Sequence, residues 1–282
     1  EEPKPGVPFL PANASATGFS VINEVAYAVT GRGCGSVPDG LWSLKLENGN
    51  VSKWMSGSVI AGGMAAFDGD GVAYVATAAG EIAALAPTTL SPKQSHKSAA
   101  PFTSAPVVFQ HKTKTFVAAA SKDGSLRIFD SALTPVAQGS GSEAATGLAT
   151  WTEAGGATRW IAGSTGKNIV AWKITDQNGV PTVSAGWTSR DLVTPATPIV
   201  VNNVVFALST GEKRGKDARG TAAQSTPAVL YALDSANGKD IWSSGKSITS
   251  FSGSGGLSSG GSQIYVQTYD GTLYAFGVAI EK

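Results

Sequence analysis

Five basic side chains fall in two glycine-rich insertions: Arg32 in "GRGCGSVPDG" (residues 31–40), and Lys213, Arg214, Lys216 and Arg219 in "GEKRGKDARGTAAQSTPAV" (residues 211–229). A guanidinium suits bidentate contact with a carboxylate or phosphate, so the two segments together read as an anion- or cofactor-binding surface. The plainer reading is a pair of solvated excursions. Gly31, Gly33 and Gly35 allow positive φ, but no helix follows them, so they build no phosphate-cradling motif. Cys34 sits in the first insertion and is the one cysteine of the chain, which rules out an intrachain disulfide. Arg32, two positions away, would favour its thiolate; the alternative is a small, semi-buried apolar residue.

The remaining candidates for chemistry are sparse. His96 in "KQSHKSA" and His111 in "FQHKTKT" read as solvated turn residues, and with one cysteine they make no closed zinc site. "AFDGDGVAY", with Asp68 and Asp70, lacks the further acidic positions and terminal Glu of a calcium loop and has the composition of a turn between strands. No glycine-flanked serine elbow and no spaced pair of glutamates supports hydrolysis. No catalytic residue and no metal ligand is therefore assigned. The cofactor-binding candidates are Arg32, Cys34, Lys213, Arg214, Lys216 and Arg219.

The elements that must position these loops are written as a repeat. An apolar run centred on an aromatic recurs around Tyr27, Tyr74, Phe116, Trp160, Phe206 and Tyr265, at intervals of about 42 to 59 residues. Each copy is followed by a second short run: "LWSL", "IAAL", "LRIF", "IVAW", "LYAL" and "LYAF". Glycine, at 35 of 282 residues, is far above its usual share. With 42% hydrophobic and 15% charged residues, the composition is that of a folded all-β chain rich in tight turns. Strand-only repeats of this length predict a β-propeller of four-stranded antiparallel blades, with repeats near 19–54, 62–97, 102–138, 147–187, 193–245 and 252–282 forming a single domain; a solenoid is the structural rival. A formal net charge of +1 gives no field to steer the chain toward nucleic acid or anionic lipid. The longest apolar run, residues 197–210, is interrupted by Asn202 and Asn203 and is too short to span a bilayer.

The units "YVQTYDGTLYAF" and "LYALDSANGKDIW" resemble the repeat of the quinoprotein β-propeller family, the PQQ-repeat proteins. In that family a Gly and a Trp lock one blade to the next. The matching positions are Gly238 with Trp242 and, more loosely, Gly49 with Trp54. The second, third and fourth repeats depart, with Gln94 and Gln138 near the Trp position and an insertion before Trp187. "GRGCGSVPDGLWSLKL", "APVVFQHKTKTFVAAASKDGSLRIFD" and "VTPATPIVVNNVVFALSTGE" are similar to a group of secreted PQQ-like propellers common in acidobacteria, which carry further repeats upstream.

The resemblance implies export to the periplasm or the extracellular space. It also implies, for a dehydrogenase of the family, pyrroloquinoline quinone over a Trp floor, calcium or a lanthanide held by Glu, Asn and Asp, a catalytic Asp and adjacent cysteines. Adjacent cysteines cannot form here; Trp42, Trp151, Trp160, Trp172 and Trp187 are the indoles available for a floor. The leading expectation is a cofactor-free binding or assembly platform that is not an enzyme, with a protein partner or a missing N-terminal propeller fragment. The alternative is a dehydrogenase of alcohols or sugars using PQQ with calcium, its ligands lying partly in upstream blades. Family dehydrogenases have eight blades, so the six repeats are expected to form part of an eight-bladed ring. Closure of six blades would instead require a strand near Val7–Pro11 to pair beside "TLYAFG".

Overall fold

The computed structural model describes residues 6–31, 36–153, 155–156, 158–177, 179–215, 224–253 and 256–277. The chain divides into two compact units, Glu1–Gln138 and Gly139–Lys282. Every sheet in both is an antiparallel meander in which neighbours in sequence are neighbours in space.

In the first unit, β1 (Ala16–Ile22), β2 (Val25–Thr30), β3 (Gly40–Lys45) and β4 (Val51–Met55) make the first sheet. The second contains β5 (Ala66–Phe67), β6 (Ala73–Ala76), β7 (Glu81–Leu85) and β8 (Pro92–Lys97), and the third β9 (Val107–His111), β10 (Lys114–Ala120), β11 (Leu126–Asp130) and β12 (Pro135–Gly139). In the second unit, β13 (Gly147–Thr152), β14 (Arg159–Ser164), β15 (Ile169–Gln177) and β16 (Val180–Thr188) form one sheet. The next holds β17 (Ile199–Val201), β18 (Val204–Ser209), β19 (Val229–Asp234) and β20 (Asp240–Ser243). The last has three strands among the described residues: β21 (Leu257–Gly260), β22 (Gln263–Gln267) and β23 (Leu273–Gly277). Residues 6–15 form no strand, so the run Val7–Pro11 is not the paired strand that six-blade closure was expected to need.

The aromatic-centred runs are the second strands of these sheets, and β2 and β6 are buried at every position. A strand with covered faces and paired edges must read as a continuous apolar run, and small residues such as Ala73, Ala76 and Ala118–Ala120 let adjacent sheets approach closely. Faces of successive sheets share cores. Val25, Tyr27, Val29 and Leu41 of the first meet Ala73, Val75 and Leu85 of the second, and Tyr74, Ile82 and Ala84 of the second meet Val117, Phe129 and Leu133 of the third. In the second unit Trp160, Ala171 and Trp187 meet Val205, Ala207 and Leu233, and Leu208 and Leu230 meet Ile264 and Val266.

The turns after β7, β11 and β19 are plugs that each join their sheet to the one before it. The Thr88 N–H donates to the Tyr27 hydroxyl at 3.2 Å, the Tyr74 hydroxyl donates to the Ser131 carbonyl at 3.2 Å, and the Trp187 indole donates to the Ser235 carbonyl at 2.9 Å. These turns, with the one after β3, each carry a residue in the left-handed region: Gly49 (φ 75), Leu90 (φ 56, with Thr88 at φ 61), Leu133 (φ 61) and Gly238 (φ 71). Gly238 is bare because a Cβ there would lie 2.4 Å from the Trp187 ring. The glycine thus receives the tryptophan of the preceding sheet, which corrects its pairing with Trp242 and restores Trp187 to the locking position. The insertion before Trp187 only lengthens the β15–β16 hairpin.

Candidate protein-binding edge

Arg32, Cys34, Lys216 and Arg219 lie outside the described residues. Lys213 and Arg214 stand at the start of the second insertion, which links the second and third strands of its sheet just as residues 31–39 do in the first. Its base is closed by hydrogen bonds from the Glu212 N–H to the Thr226 hydroxyl (2.7 Å) and from the Arg214 N–H to the Ser225 hydroxyl (2.8 Å). The Arg214 guanidinium is held by the Glu212 carboxylate, with Nε donating at 2.6 Å. That pairing uses the fork an anion would need, so of the candidates described only the exposed Lys213 presents an ammonium to solvent.

The five tryptophans available for a cofactor floor are all structural. Trp42 donates to the Thr30 hydroxyl (3.0 Å) and Trp172 to the Ser140 carbonyl (3.2 Å). Trp151 and Trp160 lie opposite each other on β13 and β14 with ring planes 7° apart, and their indole N–H groups are buried without an acceptor. No ring of the five is more than 9% exposed, so none offers the open face that a stacked quinone requires. Among the described residues no three His, Cys, Asp or Glu side chains gather as metal ligands. Asp68 instead closes a turn, accepting from the Asp70 and Val72 N–H groups at 3.0 and 2.9 Å and from the Tyr74 hydroxyl at 3.2 Å. His96 is a correction: it lies within β8, not in a turn, and its ring packs 5.1 Å from that of Phe129. His111 ends β9, against Phe116.

The feature that sequence reasoning missed lies at the last two sheets. Trp242 on β20 opposes Ala232 on β19, and is 43% exposed where Trp187 is 9% exposed. Its ring leans on Phe276 of β23, with centroids 5.6 Å apart. Together with Val204, Phe206, Ile241 and Ala275 these rings line a groove of about 850 Å³ that no charged side chain among the described residues borders. Beside it runs β23, whose outer edge pairs with no described strand, whereas the third strand of every other sheet carries a fourth. Ile241 and Leu273 are 60% and 64% exposed there. An apolar groove next to an open strand edge is equipped to hold another extended segment.

Many solved structures resemble the chain. The computationally designed Ika8 protein matches with a TM-score of 0.61 at 11% identity, over 96% of this chain and 73% of that one. BamB from Moraxella catarrhalis matches with a TM-score of 0.56 at 16% identity, over 95% of this chain and 88% of that one. The Dos1 propeller matches with a TM-score of 0.63 at 13% identity, over 94% and 67%. At such identities the likeness establishes the fold, an all-β propeller. No family model matches the sequence, and no curated protein does.

Proposed function

We propose that this chain is an exported, PQQ-like β-propeller that serves as a binding or assembly platform for a protein partner and catalyses no reaction itself. The observation that carries this reading is the groove beside Trp242, lined among the described residues by no charged side chain, with the edge of β23 that no described strand pairs. The first unit supports it with a second uncovered apolar face, where Phe19 and Val21 of β1 are 63% and 54% exposed. Large apolar side chains held out on ordered strands belong to surfaces that a partner covers. Export follows from the resemblance to secreted bacterial propellers. The single-domain reading, with six blades of an eight-bladed ring, is part of the same proposal, the covering partner on β1 then being a further blade.

The test uses the full-length protein. Titration with pyrroloquinoline quinone and calcium is expected to give no saturable spectral change and no dye reduction with alcohols or sugars. A photo-crosslinking amino acid at position 273 is expected to trap a discrete polypeptide in the exported fraction of the producing cell. A tight, stoichiometric change in the quinone spectrum would overturn the reading in favour of the dehydrogenase.

A further inference from the structure

The molecule itself shows what sits on a tryptophan in the position of Trp242. At Trp187 the cover is the turn of residues 235–238, whose carbonyl at Ser235 accepts the indole N–H and whose Gly238 lies flat on the ring. That turn leads directly into the fourth strand, β20. Trp242 occupies the same place one sheet later, opposite Ala232 as Trp187 is opposite the Ala171 region of β15. No described residue accepts from its indole. We infer that the Trp242 groove and the β23 edge form one docking site for a glycine turn and β-strand donated by a polypeptide of different sequence, which becomes the fourth strand of the last sheet. The inference rests on the platform reading and specifies how the partner is held: backbone pairing along Leu273–Gly277, with the turn laid over Trp242.

The chemistry of the groove selects this occupant. No charged residue among those described borders it, so the described lining offers neither an anion nor a cation a counter-charge, while an extended backbone satisfies the outward N–H and C=O groups of β23 in the way that β20 satisfies those of β19. The strand does not come from residues 7–11 of the same chain. That segment holds Pro8 and Pro11, three positions apart. Successive residues of a strand direct their N–H groups to opposite edges, so one proline would always face β23 with no donor. Val7 is also placed beside Gly49, in the first unit.

Hydrogen exchange on the full chain tests the inference, with a synthetic peptide of residues 233–245, LDSANGKDIWSSG, as the donated strand. In the free chain the Leu273–Gly277 amides are expected to exchange at least about 10-fold faster than those of β19, since an edge without a partner opens locally. A large excess of peptide should slow them by about 10-fold or more, and Trp242→Ala, at a position 43% exposed in the free chain, should weaken the peptide's effect by about 10-fold as expected of an aromatic anchor that the partner buries, with the circular dichroism of the variant checked to be unchanged. Protection of β23 in the free chain at every dilution would show that the chain supplies its own strand. Protection that grows with chain concentration, alongside a dimer in sedimentation, would assign the edge to a second copy. No slowing in excess peptide would refute the site. Each of these outcomes overturns the inference and leaves the quinone titration untouched, so the two readings fail separately.

Discussion

Gly238 and Tyr74 show how much of this fold hangs on single contacts between sheets. At Gly238 two constraints coincide, a φ of 71° and a ring 2.4 Å from where a Cβ would be. Gly238→Ala is therefore expected to cost about 2–4 kcal/mol, combining left-handed strain with overpacking. Urea unfolding followed by tryptophan fluorescence checks it, and adding Trp187→Leu should recover part of the loss because it removes the clash. Tyr74 is 1% exposed, and its single hydroxyl proton is shared between the Asp68 carboxylate and the Ser131 carbonyl. Burial first, and then the Asp68 charge, push its phenol well above the ordinary tyrosine range, because a phenolate there would be desolvated and would face an anion. The folded value exceeds the unfolded one, so this contribution is complete below about pH 10 and is lost as pH rises toward the folded value. Stability of the wild type should thus fall above about pH 10 by up to about 1.4 kcal/mol per pH unit from this group. Tyr74→Phe should remove that component of the slope while costing about 1–3 kcal/mol at neutral pH for the lost hydrogen bond to the Asp68 carboxylate. A series of urea midpoints between pH 7 and 11 separates the two effects.

At the scale of elements, the turn that plugs each sheet into its predecessor accepts either glycine or leucine, and the choice follows what it meets. Gly238 makes room for an indole. Leu90 and Leu133, 1% and 2% exposed, fill the shared cores that also hold Tyr27 and Tyr74, and take positive φ to do so. Leu133→Gly would relieve the backbone yet empty a buried site, and the second effect is larger: a net loss of about 1–4 kcal/mol in thermal or urea unfolding is expected. Second and third strands were legible because burial on both faces writes them as apolar runs. First and fourth strands were not. β5 and β17 are two and three residues long, too short for any period to show, and β8 reads "PKQSHK" with an almost wholly exposed face, so its charges look like a turn. Trp187 was hidden for a different reason: the nine-residue strands of its hairpin moved it out of the family spacing. The basic residues of the insertions were legible as charges, but the Glu212 carboxylate that engages Arg214 is a matter of geometry, and so was the groove at Trp242, which exists only where two sheets meet.

For the whole molecule, the decisive quantity is where apolar surface stays open after the sheets have packed within each unit. The first unit closes two shared cores and leaves Phe19 and Val21 out on β1; the second closes two and leaves Ile241, Trp242 and Leu273 out on β20 and β23. Side chains this exposed contribute little to the stability of the unit that carries them, so Phe19→Ser with Val21→Thr, and separately Leu273→Lys, should each shift stability by no more than about 0.5 kcal/mol. A buried counterpart such as Leu230→Ala, at 0% exposure, should cost about 2–5 kcal/mol. Partner capture is expected to respond in the opposite order: photo-crosslinking to the partner should fall for the two surface variants, and Leu230→Ala should show no specific change before it unfolds. Because burying a large apolar side chain is worth about 1.5–3 kcal/mol, the urea midpoint of the Phe19→Ser, Val21→Thr variant is the sharper readout. If it falls by several kcal/mol in dilute, monomeric chain, the β1 face is already covered by the chain's own residues in solution, and the proposal that further blades or a partner cover it is wrong.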